Sequence, residues 1–419
     1  MPNTTDSNNT SKKTNLKARP RQSSSVTTDC SQPTKSNSFR KTKKIFSNAS
    51  AKESTPYSRK RKEVIKEDRN IENVVLGDVR FEAWYSSWYP KEFIGKGNKT
   101  IKDLYVCPKC FAYSRGENEN EIRAWLKHWQ GCRRTTIPGK KIYVHGDWKK
   151  MNEDTDNKDV GTWSMWEVDG ATETLFCQNL SLFAKLFLES KSVFFDVSGF
   201  KFFLLVYSSP SAPLTNYINS NTQIVGFFSK EKMSWDNNNL ACILIFPPWH
   251  RKGLGSLLIG ISYAISKREN IIGGPERPIS DSGMKGYHGF WGREIARFLL
   301  NQDKDINPCV DIETISRETW ISPDDCLTMI KEMDVIERAD STRQVSACNK
   351  ALHQCNRTAK RERDRGEKPE IFIDKQLVRD WVKRKGIRLD RIVSDSGFRP
   401  GYAVDSSHNE SVKILFHPN

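Results

Sequence analysis

Long apolar runs are missing from this chain of 419 residues. The longest, Phe202–Tyr207 and Leu254–Ile265, fall well short of the roughly 18–20 residues a membrane-spanning helix needs, so no membrane partner is expected. The opening Met1-Pro2-Asn3-Thr4 leads into no apolar segment of signal-peptide type, and no secretory signal is expected. No internal repeat is visible. The ten cysteines are too unevenly spaced for a disulfide framework and read as thiols and metal ligands of a reducing compartment. Acidic residues are in deficit, with 51 Asp+Glu against 67 Lys+Arg and a net charge of +16. Aromatics are not scarce. With 12 Trp and 21 Phe, a collagen-like or wholly disordered chain is excluded and at least one packed core is required.

The positive charge is concentrated at the start. Residues 1–67 carry 16 Lys+Arg against 5 Asp+Glu, a net of +11, and about a third of them are Ser or Thr. Such a segment buries too little to offset its ordering entropy and is expected to be a disordered basic tail over 1–68. Its clusters Arg40-Lys41-Thr42-Lys43-Lys44 and Arg59-Lys60-Arg61-Lys62 suit nuclear import or non-specific phosphate contact with DNA, or are simply solvated. From Asn70 onward Phe81, Trp84, Tyr85, Trp88 and Tyr89 announce core material. Trp163–Val168 followed by Asp169-Gly170 carries a hairpin signal. A helix is predicted behind Asn179 as N-cap, with Leu180, Phe183, Ala184, Phe187 and Leu188 on one face. Val193–Val197, Phe202–Tyr207, Ile224–Phe228 and Leu240–Phe246 read as strands. Leu254, Leu257, Leu258, Ile261, Ala264 and Ile265 fall at helical spacing. Beyond residue 292 the pattern is mostly helical, with a very basic interruption at 357–368. The order is α+β, strand-rich in its centre and helical at its end.

Three constellations carry chemistry. Cys107-Pro-Lys-Cys110 is followed after seventeen residues by His128 and after three more by Cys132. Two cysteines in one turn, with His and Cys four apart on one helical face, supply a complete tetrahedral zinc site. No position is left for a catalytic water, so this is one structural Zn. Only Lys127, Arg133 and Arg134 flank the helix end, which favours scaffolding over DNA contact. Next, His250-Arg251-Lys252-Gly253-Leu254-Gly255-Ser256 lies between a strand and the strong helix, where backbone N–H groups and helix dipole favour an anion; alone, such a turn is more often ordinary. Third, Glu276 sits between Pro275 and Pro278 on a Gly-rich loop. If the substrate is a lysine amine, with an ordinary pKa about 10.4, such a carboxylate could take its proton; composition alone favours a solvated loop residue. Cys242, mid-strand, reads most simply as a small buried hydrophobe.

In this order the pieces resemble the MYST histone acetyltransferases. The resemblance rests on Asn70-Ile71-Glu72, Phe81-Glu82-Ala83-Trp84-Tyr85, Asp103–Cys107, Cys177–Leu180, Leu186–Lys191, Gly226–Lys232, Ala241–Leu244 with Pro247-Pro248, Gly274–Gly283 and Trp291. It is strong from about residue 69 to 300 and weaker to about 400. It implies an N-acetyltransferase-like central mixed sheet, a flanking zinc-finger module and a C-terminal helical, winged-helix-like region. The expected domains are the tail, the finger module at 69–139, the acetyl-CoA-binding core at 140–300 and the C-terminal region at 301–419. The resemblance also implies acetyl-CoA as co-substrate, with Glu276 as general base, Cys242 as a transient acetyl acceptor and Lys191 as the lysine acetylated within the site. Backbone groups of Ala241, Cys242, Ile243, Leu244 and Ile245 would hold the acetyl and pantetheine arm. Residues His250, Arg251, Lys252, Gly253, Leu254, Gly255 and Ser256 would hold the pyrophosphate, and Ser280 another part of the cofactor.

The chain departs from that pattern in an acidic insertion around Glu117–Glu121, and in Trp249, His250 and Ser256 at the Gly-rich turn. With the 68 residues before the matching block read as tail, it is similar to the fungal something-about-silencing branch. That branch implies a nuclear enzyme acting on the histone H4 tail, within nucleosomes, in gene silencing and transcription regulation, and dependent on companion subunits. The alternatives are a non-catalytic chromatin-binding module and an acetyltransferase for non-histone acceptors.

Overall fold

The structure is a computed structural model that describes residues 69–95, 100–145, 161–209, 222–301, 309–336 and 371–403. The expected basic tail and the basic stretch at 357–368 lie outside the described residues. No described helix is long and apolar enough to cross a membrane.

The first unit is a four-stranded sheet of β1 (Ile71–Leu76), β2 (Val79–Glu82), β3 (Ile101–Val106) and β4 (Tyr113–Arg115), in the order β2-β1-β3-β4. β1 and β3 run parallel and bury the same pattern, Ile71, Val74 and Leu76 beside Ile101, Leu104 and Val106. Helix α1 (Glu119–Gln130) follows. The acidic insertion builds its start: Asn118 accepts from the Glu121 N–H at 3.0 Å, satisfying one orphan donor of the helix, and Glu121 accepts from the Glu117 N–H just ahead of the cap at 3.0 Å, where the helix dipole favours carboxylates.

The central sheet contains β5 (Lys140–His145), β6 (Thr162–Asp169), β7 (Phe200–Ser208), β8 (Thr222–Glu231) and, after β9 (Asn238–Leu240), β10 (Cys242–Ile245). Its order is β10-β8-β7-β6-β5, antiparallel throughout. The parallel pairing expected of a mixed central sheet is found beside it, between β9 and β11 (Gly274–Pro275). Helix α2 (Thr174–Lys185) connects β6 to β7, and α3 (Leu254–Arg268) and α4 (Asp281–Asn301) flank β11. The C-terminal region has α5 (Ile312–Thr319), α6 (Pro323–Met333) and α7 (Lys375–Lys385), with β12 (Cys309–Val310) antiparallel to β13 (Ile371–Phe372). A methyl at Gly292 of α4 would collide with the Trp381 ring of α7, so this glycine sets how closely the two helices approach. Residues 392–402 return to the edge of β5. There the Arg399 N–H donates to Ile142 O at 3.0 Å, and Phe398 bridges Tyr143, covering an edge that would otherwise be open.

Five local expectations are corrected. Asp169-Gly170 turns into α2 rather than into a hairpin, and Thr174 anchors that start by donating to Gly170 O at 3.0 Å. Asn179 is therefore a buried residue inside the helix, not its N-cap. Val193–Val197 is irregular; apolar content there fills a loop over the core. Leu240–Phe246 is two short strands, because the chain changes partner at Ala241. Cys132 lies beyond Gly131, the C-cap of α1, rather than on the helix with His128.

The two sheets are joined through Phe111, in the turn between Cys110 and Ala112. Its left-handed backbone, φ 58°, costs a non-glycine residue roughly 1–2 kcal/mol. The ring is 1% exposed and meets Phe176, Phe183 and Phe246 with centroids 5.4–5.9 Å away. Burial of that size is worth about 1.5–3 kcal/mol, which offsets the strain. Ser87 adds a hydrogen bond to Leu182 O at 2.7 Å, and the Trp84 and Tyr85 N–H groups both donate to Leu186 O. We expect Phe111→Ala to destabilise the protein by about 3–5 kcal/mol, read as a fall in the denaturant midpoint, while the exposed Leu175→Ala leaves it nearly unchanged.

Candidate functional site

Two centres are built by this fold. In the first, ligand atoms of Cys107, Cys110, His128 and Cys132 all lie within 4.8 Å of one another. Cys110 Sγ and His128 Nε2 are 3.3 Å apart. A tetrahedral zinc with sulfur at about 2.3 Å and nitrogen at about 2.0 Å would separate its ligands by roughly 3.5–3.8 Å, so the donor set fits the ion with a small closing of the widest spacing. The Cys107–Phe111 turn is fixed by the Phe111 N–H to Cys107 O bond, 2.9 Å, and the Cys107 N–H to Ala112 O bond, 2.9 Å. The hydrogen bond between the two thiols lowers Cys107, helped against burial by backbone N–H groups and His128, and raises Cys110, so the pair holds one thiolate beside one thiol. All four donors are protein groups, so zinc here is structural. Arg134 pairs with Glu173 and covers the Phe176 ring at 5.3 Å; one of the basic residues at the helix end thus ties the finger to α2.

The second centre lies where the strand at 238–245 divides. Its first half pairs parallel with β11, its second antiparallel with β8, and the two pairings part at Ala241. A cavity of about 140 Å³ occupies the opening, lined by residues that include Lys191, Ser229, Glu231, Ala241, Cys242 and Glu276. Cys242 is held opposite Ser229, whose hydroxyl accepts the Cys242 N–H at 3.3 Å. Lys191 is 6% exposed, and its ammonium reaches to 3.9 Å from Cys242 Sγ. Glu276 follows directly on β11 and its N–H donates to Leu240 O at 3.0 Å, which places the loop carboxylate against the strand break. The Glu276 carboxyl is raised above the ordinary value, first by burial and then by the Glu231 charge, with Lys191 opposing.

The loop bearing Glu276 is held from the C-terminal region. Arg277 pairs with Asp325 of α6, a carboxylate only 3% exposed. Ser322 donates to that carboxylate at 2.8 Å, and Gly274 leaves it room that a methyl would take. Sequence reasoning missed Asp325 and Glu231. Nothing local marks Asp325, but in β8 the strict alternation of a strand puts Ser229 and Glu231 on the face opposite Lys230, a signal present in the sequence.

Other expected residues sit apart. His250–Ser256 and Ser280 do not line the cavity. β10 is an edge strand, and His250 Nε2 is 2.6 Å from Ile245 O, closing one carbonyl of that edge. Burial holds this imidazole below its ordinary value, against the Ile245 carbonyl, and Arg251 lowers it further. Gly253, at φ 73°, starts α3 with no side-chain cap, so no capping side chain occupies the N–H groups of its first turn, as an anion site would require. Leu254 and Leu244, however, turn their side chains into the core, leaving only their backbones for a ligand. Ser280 caps α4, accepting the Gly283 N–H at 3.2 Å. Elsewhere Cys177 and Cys326 are buried and pushed up to about 12 by that burial, which leaves them inert as nucleophiles.

Comparison with known proteins gives the following. The MOZ/SAS family profile matches residues 137–376, and that of the MYST family zinc finger domain matches 68–127. The chain is 34% identical over 278 residues to "Histone acetyltransferase MOF" of Drosophila melanogaster, covering 66% of this chain and 29% of that protein. It is 34% identical over 284 residues to "Putative MYST-like histone acetyltransferase 1" of Oryza sativa subsp. japonica, and 33% identical over 284 residues to "Histone acetyltransferase of the MYST family 1" of Arabidopsis thaliana. Each of these matches covers 68% of this chain and 55% of the relative. The chain thus spans from under a third to about half of the relatives it matches.

We expect about one zinc per chain by elemental analysis. Cys132→Ser or prolonged chelation should remove it and expose the Cys107–Cys132 region to proteolysis, because metal binding contributes roughly 10–16 kcal/mol in such modules.

Proposed function

The chain belongs to the MOZ/SAS family, and on that premise we propose that it is a lysine acetyltransferase that moves acetyl from acetyl-CoA to a histone tail. The observation that carries this reading is one cavity, inside the matched region, whose wall contains Lys191, Cys242 and Glu276 together. Acetyl-CoA supplies an acetyl thioester that is activated toward amines. The protein must supply a neutral amine, hold it in line and stabilise the oxygen that gains charge.

Glu276 is the group suited to take the proton. An ordinary carboxylate is a weak base for an ammonium of pKa about 10.4; burial and Glu231 raise the Glu276 carboxyl toward the amine, and desolvation in the cavity lowers the amine. Backbone N–H groups along the open edge of β10 are the candidates for receiving the oxyanion. Cys242 sits beside the same opening, and transfer through its sulfur or directly to the amine both fit the arrangement. The N–H groups of the first turn of α3, which no side chain caps, suit the pyrophosphate together with Arg251 and Lys252, and Ser280, which already caps α4, is the weaker candidate for cofactor contact.

The finer assignment extends the same proposal: a nuclear enzyme of the silencing branch, acting on the histone H4 tail within nucleosomes and assisted by companion subunits. It is supported by the resemblance of the motif wording, and the basic segment at 1–67 suits nuclear import and loose DNA contact.

Purified protein incubated with nucleosomes and acetyl-CoA should acetylate H4-tail lysines, mapped by mass spectrometry, and Glu276→Gln should lose most of that activity at neutral pH. Acetylation that persists undiminished in Glu276→Gln would sink the assignment of the base. For direct transfer, Cys242→Ala largely retains activity; an equal loss in both variants would favour the sulfur route. Since the base must be ionised, the rate falls on the acid side. Removing the Glu231 charge in Glu231→Gln lowers the Glu276 carboxyl, so the acid limb of the pH–rate profile should move to lower pH.

A further inference from the structure

Two loops leave the cavity at the same end of the central sheet, and each carries large apolar side chains into solvent. One runs from Val193, which lines the cavity, to Phe195, 60% exposed. The other runs from Glu231, also in the lining, to Met233 and Trp235, 86% and 100% exposed. The ladder brings them together: Phe200 stands opposite Glu231 across β7 and β8, and the Lys232 N–H donates to Gly199 O at 2.9 Å. Side chains of this kind are depleted from ordinary surface and enriched where partners bind.

At this rim the cations other than Lys191, which lies inside the cavity, are each paired with a carboxylate, and the balance is acidic. Lys232 is paired with Asp169, Lys230 with Glu269, Lys201 with Glu167 and Arg277 with Asp325. Glu231 and Asp236 have no ion pair among the described residues, and Glu276 lies just inside. In a chain of net charge +16 this is a locally acidic, aromatic mouth. A nucleic acid or an anionic membrane would be repelled, and a neutral apolar partner would leave the carboxylates unpaired. A segment rich in Lys and Arg satisfies both features, through carboxylate pairing and cation–aromatic contact.

We propose that Phe195, Met233 and Trp235, with Glu231 and Asp236, form the surface that receives the basic segment flanking the acceptor lysine. This rests on the acetyltransferase reading above. It assigns to the loop between β8 and β9 the choice of acceptor sequence, separate from the chemistry at Glu276.

The test compares wild type with the double variant Met233→Ser/Trp235→Ala and with Asp236→Asn, as full chains, on two acceptors. One is a Lys- and Arg-rich peptide with a single acetylatable lysine and the rest blocked against reaction by arginine substitution or methylation; the other is a short uncharged peptide around the same lysine. The double variant should raise KM for the basic peptide about tenfold, and leave kcat, KM for acetyl-CoA and the rate on the uncharged peptide unchanged. Asp236→Asn should act in the same direction and flatten the rise of KM with salt. Fluorescence anisotropy of the labelled basic peptide reads binding without turnover and should weaken by the same factor. Unchanged KM and unchanged anisotropy in the double variant overturn the surface, even with Glu276-dependent turnover intact. If turnover is absent in wild type while peptide binding is present and lost in the variant, the surface stands and the catalytic reading fails. An equal loss on both peptides overturns the proposal, since the loop would then act on the catalytic site and not on acceptor choice.

Discussion

A single strand that cannot keep one partner governs this molecule. Residues 238–245 pair with β11 over their first half and with β8 over their second. At the parting the Ala241 N–H still donates to Ser229 O and Leu240 O accepts from Glu276, and the change of partner opens a gap between the two pairings. Into that gap the fold delivers groups from four separated segments: Lys191 from the loop after α2, Glu231 from β8, Cys242 from β10 and Glu276 from the loop after β11. A continuous ladder would have no such opening. The helices around it hold the two halves apart, α3 behind the strand and α4 and α6 behind the Glu276 loop.

The electrostatics of the opening follow from that geometry. Glu276 and Glu231 share one partly dehydrated space with a single buried ammonium, Lys191, so burial first and then the like charge of Glu231 press the Glu276 carboxyl upward against one opposite charge. At the back of the loop the arrangement is reversed: Arg277 meets the buried Asp325, and the pair holds the loop without adding charge to the cavity. The C-terminal region is in this way a structural part of the site, since its helix α6 supplies the carboxylate that fixes the residue next to Glu276. The finger module has a comparable role on the other side, through Phe111 and the rings around it. Both flanking units act by packing and by ion pairs at a distance from the reacting groups.

The elements easiest to read beforehand were those with a strong local pattern. α3 spans Leu254–Arg268 where the 3.6-residue period ran, and β7 and β8 contain the strands expected at Phe202–Tyr207 and Ile224–Phe228. The zinc donors were legible because metal ligation restricts residue type and spacing together. Reading failed where apolar content carried no period. Val193–Val197 is as hydrophobic as a strand, yet it is a loop that drapes over the core. Asn179 was legible only as a cap, because a polar residue ahead of an apolar face resembles one; in the folded protein it is buried within α2.

By itself the sequence determined the class of the fold, the composition of the metal centre and, through motif wording, the candidates Lys191, Cys242 and Glu276. Those properties depend on residue type and on neighbours a few positions away. Tertiary structure alone decided that Glu231 and Asp325 belong with them, that Ser280 is occupied as a helix cap and that His250 closes the edge of β10. Each of those facts concerns which groups share space or spend their hydrogen-bonding capacity on each other. Residues 231 and 276 are far apart along the chain, and only the packing of β8 beside the loop after β11 makes their charges act on one another; α6 in the same way brings Asp325 to Arg277.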